Sequence, residues 1–201
     1  MPMIAPAGMS PNVAAEMELA DGAPALHVSR KHAMIAEYCN FPGEEFRKHM
    51  RARDYPLAHG VLNNAAALKS VDLKSHARWR AHVYQFEGRI SDAIELLSPL
   101  IAGDDLSAKF LRHQRACIYA YAGMHDEALA DFRALAADSS PRVVEALRIG
   151  CLFEIAHILA RQGSSEFCAV YDLVPDGRVQ FVVDSMLSKE DLLNLHRANS
   201  A

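Results

Sequence analysis

At 201 residues, 51% hydrophobic and 23% charged with a net charge of −4, the chain is too apolar and too evenly charged for a disordered tail. A pI near 6.2 argues against a dedicated nucleic-acid binder, because affinity for phosphates depends on clustered Lys and Arg. No run of about 18 apolar residues is present to cross a bilayer, and 33 alanines and 21 leucines against 7% aromatics favour closely packed helices.

Met1 to Ala25 is rich in Met, Ala, Pro and Gly and reads as a flexible leader, with residues 1–26 set apart from the rest. It holds three acids and no Lys or Arg, whereas a secretory signal needs a basic start, so a cytoplasmic protein is expected. Val28 to Cys39 has helical character, with Ala33, Ile35, Ala36 and Cys39 among its apolar positions, and Phe41-Pro42-Gly43 ends it. From there to residue 174 short helical patterns alternate with turns, the setting in which an internal repeat is sought first.

The repeat is there. Ala81, Tyr84, Gly88, Ala93, Leu97 and Leu100 recur 35 residues later as Ala116, Tyr119, Gly123, Ala128, Phe132 and Leu135. A weaker copy lies 35 residues earlier: Ala58, Leu62 and Ala65 keep its second half, while Phe46 replaces the first alanine and Arg53 the glycine. The glycine suits a left-handed residue just past a helix end, where a Cβ would clash. The two alanines suit the closest approach of antiparallel helices, and the aromatic falls on the same face as the first alanine. A helix pair of this kind cannot bury both its faces alone, so it stacks on its neighbours.

In the order of small residue, aromatic, turn glycine and second-helix alanine, residues 44 to 137 resemble the tetratricopeptide repeat family. The resemblance implies an all-α chain, an α-α superhelix (solenoid) of three to four helix pairs near residues 40–72, 74–107, 109–140 and 141–174. Together these form a repeat domain over 27–174. The fourth pair is distorted: Ser139-Ser140-Pro141 starts a helix reaching Arg161, Gly163 closes it, and the 40-residue gap from Gly123 predicts an extension or a kink near Gly150. Ser164 to Leu173 is its short partner. Residues 175–201 then form a short irregular or single-strand cap: Pro175-Asp176-Gly177 turns the chain, and Val179, Phe181 and Val183 alternate as one strand. Ser188 and Asp191 have the spacing of a capping box for a last helix.

Signatures of chemistry are lacking. The sequence contains no H-E-x-x-H, G-x-S-x-G or phosphate-binding glycine loop, and the four cysteines include no C-x-x-C pair. The expectation is a non-enzyme with no metal and no cofactor. In tetratricopeptide proteins the residues three, six, ten and thirteen before the turn glycine look into a concave groove. Here the resemblance places Gln85, His82 and Arg78 there from one repeat, and Cys117, His113 and Phe110 from the next. Met50 and Arg47 come from the weak copy. Such a surface suits an extended peptide or an acidic helix. A non-catalytic protein–protein interaction module is therefore expected: an adaptor, scaffold or client chaperone, with another protein as partner, no nucleic acid and no membrane insertion. The alternative is a helical regulatory or docking subunit of an enzyme system, for example one modifying cell-surface polysaccharide. A third reading, RNA binding, requires Arg78, Arg80, Arg112 and Arg115 to form one stripe.

Overall fold

A computed structural model describes residues 43–68, 72–140, 145–182 and 185–200. The leader, the helix expected from Val28 to Cys39 and the start at Pro141 lie outside the described residues. Two units make up the chain, Met1–Gly43 and Glu44–Ala201. The described helices are α1 (Gly43–Arg51), α2 (Tyr55–Ala67), α3 (Leu73–Phe86), α4 (Ile90–Leu97), α5 (Leu106–Tyr121), α6 (His125–Ala136), α7 (Glu145–Arg161), α8 (Phe167–Tyr171) and α9 (Lys189–Asn199). A 3-10 segment, Ser98–Ala102, follows α4, and β1 (Val179–Val182) pairs with β2 (Ser185–Ser188). The fold is thus mostly helical, with one short two-stranded sheet.

Four helices end in the same way. Gly88, Gly123 and Gly163 have φ of 78°, 77° and 61°, and Arg53, standing where the pattern loses its glycine, adopts φ 56°. At each, the left-handed residue donates its N–H to the carbonyl three residues back: Met50, Gln85, Ala120 and Ala160. The next residue donates to the carbonyl five back: His49, Tyr84, Tyr119 and Leu159. These eight bonds span 2.9–3.2 Å and form four Schellman ends, which satisfy carbonyls that a bare helix terminus would leave open. Arg53 does this without glycine's freedom, at a cost of about 1–2 kcal/mol.

Helix starts double as joints between pairs. The Asp72 carboxylate accepts from the Lys74 and Ser75 amides at the start of α3, at 2.9 and 3.0 Å. Asp105 accepts from the Ala108 amide of α5 at 2.9 Å, and its other oxygen takes the Lys74 ammonium from α3. That ammonium holds the Asp105 carboxyl below the usual range. Lys109 on α5 bridges to Asp138, just past the end of α6. Arg115 closes α5 on α6 with a bidentate grip on the buried Asp131, at 2.8 and 2.9 Å, a geometry only a guanidinium offers.

The core follows from the alanines. Ala58, Ala81, Ala93, Ala116, Ala128 and Ala156 are all fully buried, at the places where consecutive helices cross, and Phe46 is buried at the first-alanine position of α1. Each helix from α2 to α7 packs on the next, and α3 also meets α5. One apolar cluster is centred on α3 and α4 around Ala77, Leu97 and Leu111. A larger one surrounds α7 and draws in Phe132, Phe153, Phe167, Val182 and Leu192.

The C-terminal segment differs from its expected form in two respects. The strand has a partner: Val179 pairs with Ser188, Gln180 with Leu187, Phe181 with Met186 and Val182 with Ser185. α7 runs unbroken through Gly150, the extended one of the two forms expected. The short partner of α7 is one turn and a half, Phe167–Tyr171. The capping box is present, with the Ser188 hydroxyl on the Asp191 amide and the Asp191 carboxylate on the Ser188 amide. α9 returns onto α7 so closely that a Cβ on Gly163 would lie 2.4 Å from the Asn199 carbonyl oxygen.

Candidate functional site

α3 and α5 bring four of the expected groove residues together: Arg78, His82, His113 and Cys117. Arg78 is half-buried, its guanidinium 5.3 Å from the Trp79 ring centroid. His82 meets the Trp79 and Phe86 rings edge-on, at 5.9 and 4.8 Å. The His113 Nδ1 lies 3.7 Å from the Cys117 Sγ, and its ring stands 5.6 Å from Phe132 of α6.

The electrostatics of this cluster are set by burial. Burial, and next the Arg78 charge, bring both His82 and His113 down to about 4, so both imidazoles are neutral at pH 7. Burial first, then the charge of Glu154 and the neighbouring Cys151, push the Cys117 thiol well above its ordinary value. Cys151 itself is pushed up to about 12 by burial and Glu154. A neutral imidazole beside a protonated thiol is not an activated nucleophile, because the reactive form is the thiolate. In this cluster the positive charge comes from Arg78, and the histidines add polarity without charge.

The other expected residues are placed differently. Gln85 is half-buried on α3 and lends its carbonyl to the Gly88 turn. Phe110 packs against the α7 cluster. Met50 is half-buried on α1, and Arg47 is exposed with its Nε 3.1 Å from Glu44, so its charge is already matched. From α1 it is Phe46 that reaches the α3 face, 5.7 Å from Trp79. The arginine stripe that RNA binding requires is interrupted, since Arg115 is committed to Asp131.

No known family model, curated protein or solved structure matches this chain.

The residue pattern had not singled out Phe86 and Tyr121. Each stands two positions before a left-handed glycine, 35 residues apart, and the two rings face one another at 6.4 Å while remaining 47% and 53% exposed. They extend the Phe46, Trp79 and His82 contacts into one aromatic row across three helices. Their equal distance from the turn was the available signal, masked because an aromatic near a helix end also reads as packing. At the far side of α5, Gly150 of α7 brings Gln180 of β1 and His113 near each other: a Cβ there would lie 3.8 Å from Gln180 Nε2 and 3.9 Å from His113 Nε2. Among the described residues, no group of three or more His, Cys, Asp or Glu is arranged to hold a metal ion. No described helix is long and apolar enough to cross a membrane.

Proposed function

We propose that this chain is a non-catalytic protein-interaction module, a solenoid of tetratricopeptide-like helix pairs that takes a peptide or helix of another protein along α3 and α5. The observation that carries this reading is the aromatic row ending in the exposed Phe86 and Tyr121, with Arg78 on the same helix as Phe86. Aromatic side chains and arginine supply most binding energy at protein interfaces, because they bury large areas at low entropic cost. The four Schellman ends at Arg53, Gly88, Gly123 and Gly163 support the repeat reading. The partner this surface suits is an apolar segment that packs against Phe86 and Tyr121.

The test combines Arg78→Glu with Phe86→Ala and Tyr121→Ala, followed by recovery of bound proteins from the source cell. Loss of specific partners with the fold intact by circular dichroism supports the reading, and unchanged recovery of every partner ends it.

The second reading, a helical docking or regulatory subunit of an enzyme system such as cell-surface polysaccharide modification, draws support from the tail. Leu173, Val179 and Met186 are 64%, 55% and 60% exposed there. Its test is Val179→Glu with Met186→Glu, since deleting the tail would also remove the buried Val182 and Leu192.

A further inference from the structure

We infer that the segment taken against Phe86 and Tyr121 carries an acidic residue at each end, one for Arg53 and one for Arg161. This rests on the reading of the two rings as a contact surface, and it adds the charge and the length of what lies on them.

The four Schellman turns lie side by side. Contacts between α1, α3, α5 and α7 join residues at like distances before those turns: Phe46 with Trp79, seven and nine residues before, and Phe86 with Tyr121, two before in each. His113 and Gly150, ten and thirteen before, continue the series from α5 to α7. Arg161 stands two before Gly163, the position that Phe86 and Tyr121 hold at their own turns. At the first turn that position is Arg51, whose charge Glu44 answers, and the next exposed cation is Arg53 itself. The order along the row of turns is therefore Arg53, Phe86, Tyr121, Arg161, and all four side chains are exposed.

The charges along this row are uneven. Among the described residues, neither the Arg53 nor the Arg161 guanidinium has an ion-pair or hydrogen-bond partner. Between them the charges are already matched, Glu87 by His59 and Arg89, and Arg89 also by Asp92. Arg53 moreover holds φ 56°, a conformation that glycine takes without strain. A strained, exposed side chain with nothing to hold inside the fold points to a use outside it.

The complement of this pattern is an acid, an apolar stretch and a second acid. Three helix spacings of about 8–10 Å separate the outer turns, and an extended chain rises about 3.3 Å per residue, so the two acids stand about eight residues apart. A single-stranded nucleic acid fits less well, because its phosphates ask for cations along the whole row and two arginines at the ends do not supply them.

Selection of a random sixteen-residue peptide library, displayed on phage, against the full chain tests this. The expected enrichment is for apolar or aromatic residues between two acids about eight positions apart. A synthetic peptide of the enriched sequence is expected to bind Arg161→Glu about tenfold and Arg53→Gly about fivefold more weakly. Arg53→Gly should at the same time melt higher, which separates a lost contact from a lost fold. Enrichment of apolar sequences without flanking acids overturns the inference and leaves the interaction reading standing, as does a peptide that both variants bind as tightly as the parent. No enrichment that depends on Phe86 and Tyr121 overturns both. Binding of a sixteen-residue oligouridine in place of peptides overturns both as well.

Discussion

The C-terminal part of the helical run is covered by its own chain, whereas α2 leaves Leu57 and Leu68 exposed, with Leu73 exposed at the start of α3. The closing elements are β1, β2 and α9, all packed on α7 or on each other. Ten residues of α7 are buried, and those of α2 number two, Ala58 and Leu62. α7 has its cover in the tail, and α2 keeps two leucines exposed.

At neutral pH the largest effect should come from loosening the contact between α9 and the end of α7. Gly163→Ala forces a Cβ into the Asn199 carbonyl and asks alanine to hold φ 61°, so about 3 kcal/mol of stability should be lost in urea titration. Gly150→Ala is the control in the same helix: its Cβ would sit at ordinary contact distances, and helix propensity favours it by about 0.5–1 kcal/mol.

Between the two ends, His82 and His113 make stability depend on acidity. Their folded values lie near 4 against an ordinary 6.5, so the unfolded chain binds more protons between these limits. The stabilising contribution is full above about 6.5 and falls as the pH drops toward 4, on the order of 2 kcal/mol per histidine. Replacing both by glutamine should flatten that slope in a pH series of thermal melts.

At the turn after α1 the expected change is a gain. Arg53 is exposed and strained, so Arg53→Gly should raise stability by about 1 kcal/mol, or a few degrees in melting temperature. The smallest effect belongs to Leu68→Ser at low protein concentration, within about 0.5 kcal/mol, because its side chain is 79% exposed. A large loss there would show that this side chain is packed in the folded chain.

The 35-residue spacing made the turns legible, because a left-handed helix end is a local demand that glycine answers best. Even the replacement at Arg53 keeps the geometry, which the lost glycine had put in question. The second strand was not legible: Ser185-Met186-Leu187-Ser188 has no β-branched or aromatic residue to mark it, and its pairing with β1 fixes it instead. Gly150 was expected to mark an extension or a kink, and α7 is the extended form, one helix of 17 residues running through it. Of the site, the Arg78, His82, His113 and Cys117 grouping follows from helix spacing. Their charge states do not, since these depend on burial by α6 and α7. Arg47 lay on the expected face, but an intrahelical pairing with Glu44 answered its charge first.

Asp105 serves two partners at once, the Ala108 amide of its own helix and the Lys74 ammonium of α3. Neither can be lost without disturbing the other. The exchange of the Ala108 amide with heavy water therefore acts as a clock for separation of α3 from α5. Lys74→Met should quicken that clock at Ala108 while leaving the amides in the middle of α5 at their former pace.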